Sequence, residues 1–256
     1  MPRWPGEGRS GGKSDQCWAA EPSAALFLYM DTGQSTTHLG PGLLLNLWHA
    51  VGLVFWQTLF RVLNRVEVIH PDNIPRPGEA GVVLLYNHRS AIDPFLVAAT
   101  AMPYFSPIWW RAPAKDQLHR ITIIKQILES WGSFPVHRRK RDFEAMANMV
   151  EMLKSSVLVI APEGRRSTDG QLLPGRPGVG KVIYDARPNK VIPVALRGVE
   201  QILPKGRIIP RIGKKTTVIY GRPLDLAKYY QQESSATLSQ QIVDEVMDAL
   251  DELLKD

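Results

Sequence analysis

Residues 81–93 are Gly-Val-Val-Leu-Leu-Tyr-Asn-His-Arg-Ser-Ala-Ile-Asp, an apolar run followed directly by polar side chains. The run predicts a buried strand over 81–86, and the next segment predicts a helix over 94–102. In α/β sheets, functional sites lie at the carboxyl ends of strands, which is where His88 falls. A carboxylate at Asp93 could accept a hydrogen bond from one imidazole nitrogen and leave the other free to accept a proton.

The same segment supports a purely structural interpretation. Asp93 is a favourable N-cap residue, Pro94 suits the first helical position, and Ser90-x-x-Asp93 resembles a capping box. Both interpretations remain open on this segment alone.

The remaining apolar patterns predict the rest of the fold. Buried strands are predicted at 156–160, 191–196 and 216–220, and Pro193 indicates that the second of these is an edge strand or carries a bulge. Helices are predicted at 140–154, with Phe143, Met146, Val150 and Leu153 on one face, and at 237–254. Strands that alternate with helices predict an α/β fold, with a mostly parallel central sheet flanked by helices.

The amino-terminal part differs from the rest in composition. Residues 1–40 are predicted to be a flexible tail, 41–66 a membrane-associated helical segment and 67–256 the main domain. Residues 43–60 are the most apolar stretch, and Trp48, Trp56 and Arg61 suit a membrane interface. A buried core helix is the alternative for 43–60.

Charge and cysteine content narrow the function classes. The chain of 256 residues has 31 Lys and Arg against 25 Asp and Glu, a net charge of +6, which favours an anionic membrane, a phosphorylated substrate or nucleic acid. The single cysteine, Cys17, excludes an internal disulfide, and the scattered histidines predict no metal site. A basic nucleic-acid-binding module is a distant alternative function, although no zinc-finger, RRM-type or helix-turn-helix pattern supports it.

Two further clusters suit an anionic ligand. Residues 162–167, Pro-Glu-Gly-Arg-Arg-Ser, follow the predicted strand 156–160, where a glycine turn with two arginines can hold a phosphate. Residues 137–141, His-Arg-Arg-Lys-Arg, form a basic run. A solvated turn in which Glu163 pairs with an arginine, and a solvated charge run, are the alternatives.

Taken in order, these segments resemble a known family. His88-x4-Asp93, then Gly132 to Arg138, then residues 162–167, then Val191-Ile192-Pro193 resemble the four blocks of the glycerolipid acyltransferase superfamily, most closely the 1-acylglycerol-3-phosphate acyltransferases. The resemblance covers about residues 65–225. It implies the glycerol-3-phosphate acyltransferase-like fold for the main domain and an active site on the cytoplasmic side of a membrane.

The resemblance also implies roles for individual residues. His88 would be the catalytic base and Asp93 would orient it, while an acyl-CoA or acyl-carrier protein thioester would be the co-substrate, with no further cofactor. The acceptor, a lysophospholipid from the membrane, would be held by a wider set of residues: Asn87, Arg138, Glu163, Gly164, Arg165, Arg166, Ser167 and Pro193. The resemblance implies no oligomeric state.

The match to the family pattern is incomplete. Ala161 stands where the family usually has Phe, Arg165 where Thr is usual, and Gly175-Arg176-Pro177 where a Lys is common. Residues 178–223 are also similar to the tafazzins, which are related transacylases. A lysophospholipid acyltransferase for another headgroup and a tafazzin-like phospholipid transacylase are therefore alternatives to phosphatidate synthesis.

Overall fold

The computed structural model describes residues 40–137, 142–167 and 170–255. The predicted tail, apart from residue 40, and the basic run at 138–141 that includes Arg138 lie outside these described residues. Across the described ranges, seven strands form one sheet. They are β1 (Arg65–Ile69), β2 (Val82–Tyr86), β3 (Trp109–Lys115), β4 (Ser133–Val136), β5 (Ser156–Ile160), β6 (Lys190–Arg197) and β7 (Lys215–Tyr220).

The helices lie between and beyond these strands. They are α1 (Leu43–Gln57), α2 (Asp93–Ala101), α3 (Thr122–Ser130), α4 (Phe143–Leu153), α5 (Pro177–Ala186), α6 (Val199–Ile202), α7 (Ala227–Tyr230) and α8 (Ala236–Lys255). A π-helical turn at Thr58–Val62 continues α1. The predicted strands and helices are thus confirmed, with ends shifted by a few residues at most.

The sheet has the order β1-β7-β6-β2-β5-β3-β4. Only β6 and β7 pair antiparallel, so the prediction of a mostly parallel sheet is confirmed. One face packs against α1, α2 and α6, through side chains such as Leu53, Leu96 and Ile202. The other face packs against α4, α5 and α8, through Met149, Ile183 and Val246. The strands between them carry apolar residues on both faces, as buried parallel strands do.

Two predictions about individual residues were wrong. Pro193 lies inside the sheet, because β6 pairs with β2 on one side and β7 on the other. The carbonyl of Pro193 accepts a hydrogen bond from the backbone N–H of Gly221 (2.8 Å), just beyond the end of β7. The pairing of β6 with β7 needs no N–H donor from residue 193, so a proline is tolerated there. Phe143 is 67% exposed, and the buried face of α4 is formed by Ala145, Met149 and Leu153.

Helix α1 packs on the domain along one side only. Trp56 stacks on Phe95 with ring centroids 4.4 Å apart, the imidazole of His49 bonds to the carbonyl of Ser130 (2.6 Å), and Gly52 fits against the ring of Trp131. Among the described residues, Leu43–Val62 is the one helix long and apolar enough to cross a membrane. Strand β1 begins at residue 65, so the predicted segment boundary at residue 66 falls inside that strand.

Candidate active site

The candidate site begins at the carboxyl end of β2, where Asn87 and His88 directly follow a strand whose residues are all buried. The side-chain amide of Asn87 extends this ladder: its nitrogen donates to the carbonyl of Leu196 (3.0 Å) and its oxygen accepts from the backbone N–H of Leu196 (2.7 Å). Both polar groups of a buried amide are therefore satisfied by β6. Asn87 fixes the direction in which the chain leaves the sheet.

His88 and Asp93 are in direct contact. The Nδ1 atom of His88 lies 2.8 Å from Oδ2 of Asp93, which is completely buried, while the imidazole retains slight exposure. Because Nδ1 faces a carboxylate, it carries the proton, and Nε2 is the nitrogen able to accept one. The spacing predicted from the sequence is the spacing that brings these two side chains together.

The Asp93 carboxylate also organises the loop that carries His88. Its Oδ2 accepts backbone N–H groups from Arg89 (2.6 Å) and Ser90 (2.8 Å) as well as the imidazole proton. Burial raises the pKa of Asp93, and the imidazole and backbone donors act in the opposite direction. The predicted capping box is only half formed. The Ser90 N–H binds the Asp93 carboxylate, but the Ser90 hydroxyl donates to the carbonyl of Leu203 (2.9 Å) and does not cap the helix.

Glu163 connects the His88 loop to the turn after β5. Its Oε1 accepts the backbone N–H of His88 (2.7 Å) and its Oε2 accepts that of Leu173 (3.0 Å). The side chain is 2% exposed, and burial raises its pKa. A solvated turn with an exposed Glu–Arg pair is therefore not what forms. Each carboxylate oxygen serves a backbone donor, so Glu163 positions both loops.

A further backbone contact completes this connection. The N–H of Ser167 donates to the carbonyl of His88 (2.8 Å), and Ser167 is largely buried. Gly164 has φ of +67°, a left-handed conformation that favours glycine, and the side chain of Arg176 lies beside it. The turn at 162–167 is therefore held against the carboxyl end of β2, as the neighbouring positions of β2 and β5 require.

The cationic side chains around this turn differ in exposure. Arg165 is exposed and Arg166 is half-buried. Two arginines that were not among the predicted site residues also lie here: Arg89, whose guanidinium is close to Gly170, and Arg176, which packs beside Gly164. Arg176 belongs to the Gly-Arg-Pro segment that replaces the usual family Lys, and that departure was the available signal.

The structure brings some of the predicted site residues together and places others elsewhere. His88, Asp93 and Glu163 are joined by hydrogen bonds, with Gly164 and Ser167 in the same turn. Pro193 lies within β6, opposite Leu85 of β2. Arg138 lies outside the described residues. Within the described residues, no three His, Cys, Asp or Glu side chains form a group that could hold a metal ion.

Comparisons with known proteins place this arrangement in context. A family model described as Acyltransferase matches residues 65–197, from β1 through β6. The search of curated proteins found no match. Among solved structures, the chain is similar to the 1-acyl-sn-glycerophosphate (LPA) acyltransferase PlsC from Thermotoga maritima, with a TM-score of 0.59 and 23% sequence identity over 82% of this chain and 79% of that one. This likeness concerns the fold.

Proposed function

Since the chain belongs to the acyltransferase family and is an acyltransferase, we propose that it transfers a fatty acyl group from an acyl thioester to the free hydroxyl of 1-acylglycerol-3-phosphate, giving phosphatidate. The observation that carries the proposal is the contact of His88 with Asp93 at the carboxyl end of β2, joined by hydrogen bonds to the glycine–arginine turn. The described activity of the Thermotoga maritima protein on 1-acyl-sn-glycerophosphate supports this acceptor.

The proposed reaction follows from the state of the His88 ring. Its Nε2 accepts the proton of the acceptor hydroxyl as the hydroxyl oxygen forms a bond to the thioester carbonyl carbon. The tetrahedral intermediate then collapses, the carbon–sulfur bond breaks, and the imidazolium returns the proton to the departing thiolate. The buried Asp93 carboxylate stabilises the imidazolium in between. No acyl-enzyme is needed, so a nucleophilic Ser or Cys is not required.

The acceptor phosphate is proposed to bind at the turn of residues 162–167. Arg166 and Arg165 supply cations, and Arg138 would add a third from outside the described residues. A guanidinium can form two parallel hydrogen bonds to a phosphate, which suits a doubly charged terminal group. Glu163 and Ser167 would hold the turn in place rather than bind the phosphate with their side chains. Pro193 would shape a wall of the pocket.

Membrane association is proposed to occur through α1. The helix with its π-helical turn is about 30 Å long, which suits either a short span or a helix lying in one leaflet. Large apolar side chains on its free side are strongly exposed, including Leu44 (77%) and Val51 (66%). Such a patch marks an interaction surface, and the lipid substrates are found in membranes. The active site is proposed to face the cytoplasm, where acyl-CoA or acyl-carrier protein is available.

An acyl-transfer assay on the purified chain tests the proposal. With acyl-CoA or acyl-carrier protein as donor and lysophosphatidate as acceptor, phosphatidate should form, whereas His88→Ala should lose nearly all activity. His119→Ala is a matched control, since it also removes one partly buried imidazole.

Lysolipids with other headgroups should be poorer acceptors. Preference for one of them would replace phosphatidate synthesis by another lysophospholipid acylation. Transfer from an intact phospholipid alone would establish the tafazzin-like route. Full activity in His88→Ala would refute the mechanism.

A further inference from the structure

The segment between α6 and β7 exposes three isoleucines to solvent. Residues 203–214, Leu-Pro-Lys-Gly-Arg-Ile-Ile-Pro-Arg-Ile-Gly-Lys, are called here the isoleucine–basic loop. Ile208 is 90% exposed, Ile209 is 74% exposed and Ile212 is 66% exposed. A single exposed isoleucine is ordinary, but three within five residues form a patch of the kind that marks an interaction site.

The same loop carries a concentrated positive charge. Its cations are Lys205, Arg207, Arg211 and Lys214, and it contains no acidic residue. Among the described residues none of the four takes part in a salt bridge, whereas Lys215, immediately after the loop, pairs with Glu67. Since the described part of the chain places no carboxylate against them, these cations are available to an external anionic surface.

The loop is fixed to the carboxyl end of the α1 segment. Gly213 N–H donates to the carbonyl of Leu63 (2.7 Å), and the buried side chain of Asn64 bonds to the backbone of both Arg211 (3.2 Å) and Lys214 (2.8 Å). Val62, next to this junction, is 75% exposed. The exposed isoleucines therefore belong to a loop that is held beside the exposed apolar end of the α1 segment.

The other end of the loop reaches the candidate active site. The carbonyl of Leu203 accepts the hydroxyl of Ser90, whose backbone N–H is bound by Asp93. The loop thus connects the segment that carries His88 to the end of α1. A surface that contacted the loop and α1 together would lie beside the segment that holds the catalytic base.

We propose that the isoleucine–basic loop binds an anionic phospholipid membrane, with its isoleucines in the acyl boundary and its cations at the headgroups. The alternation of isoleucines with cations suits this boundary, where apolar burial and attraction to anionic lipid add together. The isoleucines would have no use in a nucleic-acid complex held by phosphate contacts. The inference rests on the proposed membrane association of α1, and adds to it a dependence on headgroup charge.

Vesicle binding of the full chain tests the loop separately from α1. We compare phosphatidylcholine vesicles with vesicles that also contain phosphatidylglycerol, using wild type, Lys205→Gln/Arg207→Gln/Arg211→Gln and Ile208→Ser/Ile209→Ser/Ile212→Ser. The matched control removes three lysines on or near helices of the other sheet face: Lys154→Gln/Lys181→Gln/Lys228→Gln.

The charge variant should lose affinity for the anionic vesicles by about fivefold for each cation, on the order of 100-fold in all, and keep its affinity for neutral vesicles. The isoleucine variant should bind both vesicle types more weakly. The lysine control should change little. Thermal unfolding of all four proteins separates these effects from misfolding.

Anionic-vesicle binding that is equal in wild type and both loop variants would overturn the proposal. A charge variant that kept its vesicle affinity but lost affinity for a duplex oligonucleotide would assign the loop to nucleic acid instead, and would also overturn it. Binding to neutral vesicles that persists in the isoleucine variant reports on α1 alone. These measurements therefore distinguish a wrong proposal for the loop from a wrong proposal for α1. The acyl-transfer assay tests the proposed reaction independently of both.

Discussion

Replacing Asp93 with Asn changes one group in the contact that sets the protonation of the His88 ring. The Oδ2 atom of Asp93 accepts three N–H groups, from the imidazole of His88 and the backbones of Arg89 and Ser90. An asparagine oxygen can take that place, and its NH₂ group then occupies the position of Oδ1. That position is buried and has no hydrogen-bond partner among the described residues. An unsatisfied buried donor costs about 1–3 kcal/mol, which is the expected loss in the free energy of unfolding.

The loss in rate should be larger than this loss in stability. A neutral amide cannot stabilise the imidazolium that forms when His88 accepts the hydroxyl proton, and the bond to Nδ1 is no longer charge-assisted. General-base catalysis contributes about 10²–10⁴ in rate, so kcat/KM should fall by a factor in that range. This factor corresponds to about 3–5 kcal/mol of transition-state stabilisation. The acceptor KM should change little, because Asp93 is buried behind the imidazole.

The assay follows thiol release from acyl-CoA in the presence of lysophosphatidate, for Asp93→Asn, His88→Ala and the double variant. If the two residues act as one unit, the double variant should be about as slow as His88→Ala alone, since effects within a catalytic unit are not additive. Urea unfolding of each protein supplies the stability control. An Asp93→Asn rate within a few-fold of wild type, or losses that multiply in the double variant, would refute the reasoning.

Three further predictions concern the turn and α1. Burial raises the pKa of Glu163, so the stability of the wild type falls as pH rises from the ordinary glutamate pKa to the raised one. Glu163→Gln has no titrating group at this position and lacks that loss. The unfolding temperature of the variant relative to wild type should therefore increase with pH across this range. A flat difference between the two unfolding temperatures would contradict this. Gly164→Ala places a Cβ 3.3 Å from Cγ of Arg176 at positive φ and should lower the free energy of unfolding by about 1–2 kcal/mol in urea titrations; an unchanged value would mean that the turn is not left-handed. Leu44→Ser/Val51→Ser should weaken binding to neutral phosphatidylcholine vesicles without changing the unfolding temperature, and unchanged binding would contradict α1 as a membrane contact.

The central strands and the His88–Asp93 contact were predictable because local signals carry them. A strand buried on both faces appears in sequence as a continuous apolar run, as 81–86 and 156–160 do, and a five-residue spacing brings Asp93 back to His88 across one short loop. The helix at 237–254 was predictable from its period for the same reason. None of these inferences requires knowledge of which strands are neighbours.

The features that were missed depend on distant partners. β3, Trp-Trp-Arg-Ala-Pro-Ala-Lys, lacks an apolar run because most of its residues are only partly buried, between β5 and the short edge strand β4. Pro193 can lie in an interior strand because β7, the neighbouring strand, ends beside it, and the sequence around Pro193 does not show this. The positioning role of Glu163 depends on backbone donors 75 and 10 residues away along the chain, which no local pattern reveals.

Within the 162–167 turn, some residues hold the His88 loop and others face solvent. This difference explains how the chemistry of the family can persist while the acceptor varies. Glu163 is buried and its carboxylate binds the backbone N–H of His88, so replacing that side chain should disturb the position of the proposed base, whereas Ser167 binds the His88 carbonyl through its own backbone N–H. Arg165, where the family usually has Thr, is exposed. It can be exchanged without breaking any of the hydrogen bonds that hold the base, because those bonds run through backbone groups and buried carboxylates. Headgroup preference can therefore reside in side chains that the His88–Asp93 contact does not depend on, and we expect the departures from the family pattern to bear on the acceptor more than on the reaction.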